Sequence, residues 1–194
     1  MADINPLALS FILNLPALFI ALVVHEYAHG FVAYKLGDNT AKFMGRLTFN
    51  PLAHIDLFGT IILPLMLIIS SSPVVFGYAK PVPVNFHNLS NAKSGMIWVG
   101  LAGPMANFIT AALTFLILLS GFIHHAGVLQ FLITVMIINL VLGVFNLIPI
   151  PPLDGSRILM GLLPRKLAAL YARITPIHGM IILIILLSIL RRVL

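Results

Sequence analysis

Cysteine is absent from the 194-residue sequence, and charged residues are scarce. The first absence excludes disulfide bonds and thiolate metal ligands, and it leaves the redox compartment undetermined. Only 8% of the residues are charged, whereas 60% are hydrophobic and stand in long uninterrupted runs. Because soluble domains carry about 25% charged residues, this composition predicts a polytopic helical membrane protein.

The charges that are present are mostly basic. Eleven Lys and Arg against five Asp and Glu give a net charge of +6. Such an excess is typical of the cytoplasmic loops of membrane proteins, and nothing in its pattern indicates nucleic-acid binding. The length suits one transmembrane domain over residues 1–194, with no soluble appendage.

The apolar runs predict an all-α fold. We expect about five apolar segments, at Leu7–Leu36, Ile55–Ile69, Gly95–Leu119, Val128–Ile148 and Ile177–Leu190. The second is short and interrupted by Gly59 and Pro64, and we expect Ile55–Asn85 to be a re-entrant hairpin or a helix with an extended return. The stretch Val74–Val84 is rich in β-branched residues, but its two prolines exclude a central strand. It is expected to be an edge strand or extended loop that pairs with an extended peptide, or else a plain surface connection.

The first apolar segment contains an HExxH motif, formed by His25, Glu26 and His29. On a helix, histidines four positions apart lie on one face and can share a metal ion, while the glutamate can take a proton from a metal-bound water. Ionisable residues at membrane depth cost about 2.5–3.5 kcal/mol each, so they usually have a partner or a function. The motif and its setting indicate peptide hydrolysis within a membrane. Two helix-packing histidines with a hydrogen-bonded glutamate are the alternative.

A catalytic zinc site needs a third protein ligand. Among the five acidic residues, Asp38 lies in an ordinary turn sequence, whereas Asp154 directly follows an apolar span that three prolines interrupt. Irregular backbone at membrane depth is tolerated only where protein or a water-filled cavity surrounds it, so Asp154 is a good ligand candidate. It could equally be the N-cap of a helix that starts near Ser156.

Three motifs occur together over residues 20–160 and form a specific combination. The sequence resembles the site-2 protease family of intramembrane zinc metalloproteases in His25-Glu26-xx-His29, Ala102-Gly103-Pro104-xx-Asn107 and Asn146-xx-Pro149-xxx-Leu153-Asp154-Gly155. It departs from fuller members of that family in having neither a PDZ-like nor a CBS-like domain.

The resemblance implies a set of roles. One Zn²⁺ per chain would be held by His25, His29 and Asp154, with Glu26 as the catalytic base and Asn146 assisting near the site. Gly103 and Asn107 would be helix-packing or hydrogen-bonding positions, and Pro104, Pro149 and Gly155 would be structural motif positions. The implied substrates are single-span membrane proteins or peptides. A non-hydrolytic membrane metal transporter or sensor with the same ligands is the alternative, and the oligomeric state stays open.

A parity argument predicts the topology. If Asp154 and the histidines bind one ion, they lie at one membrane depth, so residues 55–85 must make no net crossing. Nine basic residues then share one side and only Arg191 and Arg192 lie opposite. The positive-inside rule places that side in the cytoplasm. We therefore expect an integral protein of the cell membrane whose active site opens towards the cytoplasm.

Overall fold

The computed structural model describes the backbone of residues 6–70 and 78–193, with side-chain environments for residues 13–70, 78–183 and 185. Helix α1 runs over Pro6–Lys35, and the short helix α2 over Thr40–Phe43. A 3₁₀ turn at Pro51–His54 and a π-helical turn at Leu57–Ile62 lead into α3, Leu63–Ile69.

The second half of the chain is also helical. After a 3₁₀ turn at Phe86–Asn88 come α4 at Ala92–Leu119 and α5 at Ala126–Asn146. Two shorter helices follow, α6 at Asp154–Leu162 and α7 at Arg165–Tyr171, and α8 occupies Pro176–Val193.

Helix α4 is the centre of the fold, because it packs against α1, α5 and α6. Small buried residues, among them Gly100 and Gly103, lie along it and let the neighbouring helices come close. This packing brings the HExxH face of α1 and the start of α6 to the same region of α4.

Three of the described helices are long and apolar enough to cross a bilayer: Leu13–Lys35, Ala92–Leu119 and Ala126–Asn146. Large apolar side chains on their outer faces are exposed, as at Leu116 and Val141, which suits contact with lipid. The predicted helical membrane architecture is confirmed. The count of about five apolar segments is not confirmed: three described helices qualify as spans, and Leu57–Ile69 is a shorter apolar helix, as expected for the second segment. A crossing by α8 stays a prediction.

Hydrogen bonds join residues that come before α3 to residues that come after it. The Lys80 N–H donates to the His54 carbonyl at 2.8 Å, and the Tyr78 N–H donates to the Gly59 carbonyl at 3.0 Å. The backbone at His54 therefore lies next to the backbone at Lys80. Such a return suits the absence of a net crossing, while its re-entry into the bilayer stays a prediction.

The edge-strand alternative for Val74–Val84 is not confirmed over the residues that can be judged, while the alternative of an extended loop stays a prediction. Residues 78–85 belong to no strand, and the described ranges contain no strand at all. The reason lies in the donors: Pro81 and Pro83 have no N–H, and the N–H groups of Lys80 and Val82 are bound within the protein. The part of the prediction on residues 74–77 lies outside the described residues.

Asp38 is more than a turn residue, contrary to the sequence-based expectation. It is fully buried, and its carboxylate accepts hydrogen bonds from Thr40, from the Asn85 N–H at 2.7 Å and from Asn88 Nδ2 at 2.9 Å. Burial acts to raise the pKa of Asp38, but these hydrogen bonds outweigh it and hold the pKa below its usual value. The carboxylate thus joins the chain around residue 85 to the end of α1.

Candidate metal centre

The two histidines of HExxH occupy one face of α1, one turn apart, and both are buried. Their rings meet edge to face with centroids 4.6 Å apart, and the two Nε2 atoms are separated by 3.0 Å. The i, i+4 spacing on a helix accounts for this approach.

Asp154 joins them from the far end of the sequence. It is the first residue of α6 and is buried, and its Oδ2 atom lies 3.0 Å from the Nε2 atoms of both His25 and His29. The other oxygen, Oδ1, accepts from Arg157 at 3.1 Å. Leu153 occupies the N-cap position, so the alternative role of Asp154 as an N-cap does not apply.

The neighbouring glycine explains how the aspartate reaches this place. A Cβ atom on Gly155 would overlap the backbone carbonyls of Leu147 and Ile148. Only glycine lets the start of α6 lie against the end of α5 in this way. Gly155 thus has a steric role in the motif that contains Asp154.

Gly103 on α4 makes room for the imidazoles. A Cβ atom there would overlap the Nε2 atoms of both His25 and His29. Gly103 therefore packs directly against the imidazole rings of the two predicted ligands. Pro104 is buried beside it.

The outer nitrogen of each imidazole has a fixed acceptor. His29 Nδ1 donates to the Val99 carbonyl at 2.6 Å. His25 Nδ1 donates to Asn107 Oδ1 at 2.5 Å. The amide orientation of Asn107 follows from its Nδ2, which donates to the Ala21 carbonyl at 3.1 Å, because a carbonyl can only accept. Both Nδ1 atoms therefore carry the proton, and both Nε2 lone pairs point inward.

The three inner atoms fit a zinc ion. Two imidazole lone pairs and a carboxylate oxygen, mutually 3.0 Å apart, form a buried cluster of acceptors without a donor, which only a cation or an added proton stabilises. Two nitrogens and one oxygen are a donor set that zinc accepts at about 2.0–2.2 Å, with a fourth position left for water. Tying each Nδ1–H to a fixed acceptor is the usual support of a metal-binding histidine.

Glu26 lies on α1 between the two histidines and is half-buried. Its Oε2 atom accepts a hydrogen bond of 2.7 Å from the Val82 N–H. The carboxylate thus contributes no atom to the cluster, and its role as a base stays a prediction.

Two further predicted positions, Asn146 and Pro149, each take part in a hydrogen bond with another part of the protein. Asn146 is the last residue of α5, and its Nδ2 donates to the Leu142 carbonyl at 3.0 Å. Its predicted assistance near the site stays a prediction. Pro149 accepts a hydrogen bond of 2.9 Å at its carbonyl from the Tyr171 hydroxyl, which ties the chain before α6 to α7.

Sequence reasoning missed several supporting groups, among them the Val99 carbonyl that accepts from His29 Nδ1. Asn139 is fully buried on α5 and accepts from Asn107 Nδ2 at 2.8 Å. An amide inside a strongly apolar span was the available signal, because such a group needs a partner. Arg157 follows Asp154 by three positions, a spacing that brings side chains together on a helix. The Val82 N–H gave no signal, because it is a backbone group.

Comparisons with known proteins agree with this geometry. The model of Peptidase family M50 matches residues 13–125 and 119–189. YwhC of Bacillus subtilis, whose name describes it provisionally as a zinc metalloprotease, is 42% identical in a match that covers 77% of this chain and 70% of the relative.

More distant relatives carry similar names. The zinc metalloprotease MJ0392 of Methanocaldococcus jannaschii is 30% identical over 77% of this chain and 34% of its own length. Rip2 of Mycobacterium tuberculosis, also named provisionally as a zinc metalloprotease, is 33% identical over 78% of this chain and 58% of its own length. No solved structure matches the chain at a comparable level. The family match, the YwhC relative and the zinc-compatible cluster together show that this chain belongs to Peptidase family M50 and is a zinc metalloprotease.

Proposed function

We propose that the protein hydrolyses peptide bonds in or near transmembrane segments of membrane-protein substrates. One observation carries the proposal: the cluster of His25, His29 and Asp154 is buried, and its two histidines belong to a helix that is apolar and long enough to span a bilayer. A substrate that reaches this cluster lies within the membrane or at its edge. Single-span membrane proteins, in signalling by intramembrane proteolysis or in removal of signal remnants, are the proposed substrates.

The residues divide the chemistry between them. His25, His29 and Asp154 would hold the zinc ion, and Glu26 would act as the base. Zinc, when bound, would lower the pKa of a water strongly, towards about 7, and would polarise the scissile carbonyl. Glu26 accepts a proton from the attacking water while the water oxygen bonds to the carbonyl carbon. Glu26 then donates that proton to the departing amide nitrogen as the C–N bond breaks. Because carbonyls in a helix are hydrogen-bonded within it, the substrate must unwind locally before attack.

The distribution of charge supports an orientation in the membrane. Under the proposed topology, nine of the eleven basic residues share the side onto which α1 ends: Lys35, Lys42, Arg46, Lys80, Lys93, Arg157, Arg165, Lys166 and Arg173. The positive-inside rule makes this the cytoplasmic side. We propose that the active site opens there, in the cell membrane. Cysteine labelling of Lys80→Cys and Lys166→Cys from the two sides tests this, since labelling from opposite sides refutes it.

A membrane metal transporter or sensor is the competing function, because ionisable residues within spans often mark ion pathways. The position of Glu26 favours hydrolysis, since it lies beside the cluster with one oxygen bound to Val82 and contributes no atom to it. Metal binding alone gives no reason for a carboxylate in that position.

The decisive experiment uses purified, zinc-loaded protein and a panel of single-span peptides. Wild type is expected to cleave at least one peptide, and Glu26→Gln to abolish cleavage while it retains one zinc per chain. The isosteric change removes the basic oxygen and keeps the side-chain shape. Cleavage by Glu26→Gln would remove Glu26 from the mechanism. Zinc movement across sealed vesicles without cleavage would favour the transporter.

A further inference from the structure

The Glu26 carboxylate is held by the backbone of a distant part of the chain. Its Oε2 atom is bound by the Val82 N–H, 56 residues away, while Oε1 has no hydrogen-bond partner among the described residues. Val82 is only 7% exposed. We propose that Val82 is a positioning residue for Glu26: its N–H holds one carboxylate oxygen and leaves the other to take the proton. This inference rests on the proposed function.

The local sequence makes Val82 the single N–H donor of a conformationally restricted stretch of backbone. Pro81 and Pro83 on either side have no N–H and keep φ near −65°. A residue that precedes proline, as Val82 does, is restricted to extended backbone. Val82 therefore supplies the one N–H group of this tripeptide, on backbone that has little freedom to turn away.

Hydrogen bonds on both sides hold this stiff stretch in place. Before the donor, the Lys80 N–H binds the His54 carbonyl at 2.8 Å, and Arg46 Nη2 binds the Lys80 carbonyl at 2.7 Å. After the donor, the Asn85 N–H binds the buried carboxylate of Asp38 at 2.7 Å. The backbone around Val82 is thus anchored to the protein independently of Glu26.

The absence of a side chain at Gly30 leaves the space that the Val82 side chain occupies. A Cβ atom on Gly30 would lie 2.9 Å from Val82 Cγ1, 3.3 Å from Leu47 Cδ1 and 3.4 Å from the Ala41 Cβ. Valine is stiff about χ1, so it cannot swing away without moving its backbone. Gly30 directly follows His29. The same turn of α1 therefore carries a predicted zinc ligand and the residue that contacts Val82, whose N–H binds Glu26.

Such a contact matters because glutamate is flexible and a base must lie within hydrogen-bond reach of its proton. A misplacement of about 1 Å can cost about 10²-fold in rate. The geometry therefore predicts that displacement of Val82 lowers kcat through Glu26 and leaves zinc binding and substrate binding intact.

The experiment uses zinc-loaded full chain and a peptide that wild type cleaves. Gly30→Ala should lower kcat by about 10²-fold with one zinc retained. Gly30→Ala/Val82→Ala, which removes the clashing methyl group, should recover most of that loss. In the inactive Glu26→Gln background, Gly30→Ala should leave the peptide Kd unchanged. Gly127→Ala is the matched control, since its added Cβ would meet only the His125 ring, at 3.2 Å.

Val82→Pro is the second variant, because it deletes the N–H and suits extended backbone. If Gly30→Ala loses zinc, the kcat, zinc content and peptide Kd of Val82→Pro test the positioning role instead. A wild-type kcat in zinc-loaded Gly30→Ala or Val82→Pro overturns the positioning role. So does a weakened peptide Kd with an unchanged kcat, which would assign the residues around Val82 to substrate binding. Wild type that binds zinc but cleaves no peptide refutes the proposed function instead.

Discussion

Replacing Asn107 tests whether the cluster depends on its supporting hydrogen bonds. Asn107 is fully buried and contacts three groups: His25 Nδ1 at 2.5 Å, the Ala21 carbonyl at 3.1 Å and Asn139 Oδ1 at 2.8 Å. Asn107→Leu keeps the approximate volume but removes the acceptor that holds the proton on Nδ1. The His25 ring then loses both its orientation and its tautomer preference.

The expected effect on zinc binding follows from that loss. Removing such a supporting partner typically weakens metal affinity by 10–100-fold, equivalent to about 1.4–2.8 kcal/mol. Stability should also fall, because each buried group left without a partner costs about 1–3 kcal/mol. Zinc affinity is measured by chelator competition in detergent, and stability by thermal unfolding of the zinc-loaded protein.

Asn107→Asp separates the two effects. Aspartate keeps an acceptor for His25 Nδ1 but loses the donor that Ala21 and Asn139 use, so stability should fall while zinc affinity stays near that of wild type. Unchanged zinc affinity in Asn107→Leu would refute the reasoning. An equal loss of affinity in both variants would show that packing, and not the acceptor, supports the site.

Three further predictions follow from the same contacts. Gly103→Ala should abolish zinc retention, because the new Cβ overlaps both imidazoles; elemental analysis checks this against Gly127→Ala, and a full zinc complement would contradict it. Asp154→Asn should weaken zinc retention, since the neutral amide is a poorer ligand than a carboxylate; unchanged zinc content would exclude it as a ligand. Asp38→Asn should destabilise the fold by about 1–3 kcal/mol at neutral pH. Because the folded pKa of Asp38 is lowered, its contribution is complete above the ordinary value of 3.8 and is lost as the pH falls through the folded value. Thermal unfolding in acid should therefore bring the stability of wild type towards that of the variant, and parallel curves would refute the role.

The helical membrane class could be predicted because it depends on composition alone. The apolar runs that predicted spans appear as α1, α4 and α5, and the observed ends differ from the predicted ones by only a few residues. The β segment could not be judged from residue preferences, since β-branched residues are equally compatible with an extended loop. Whether they form a strand depends on where the N–H groups of Lys80 and Val82 find acceptors, and those acceptors come from distant parts of the chain.

The sequence by itself determined which residues could form the cluster. Helical periodicity places His25 and His29 on one face, and an ionisable residue in an apolar chain is costly enough to stand out. Only the tertiary structure decided that Asp154, 125 residues beyond His29, meets them at 3.0 Å. It also decided that Asn107 and the Val99 carbonyl turn both lone pairs inward, and that Val82 holds Glu26. The motifs marked Gly103, Asn107 and Gly155 as positions of interest, but the partners of these residues, and the backbone groups of Val99 and Val82, depend on how distant parts of the chain pack together.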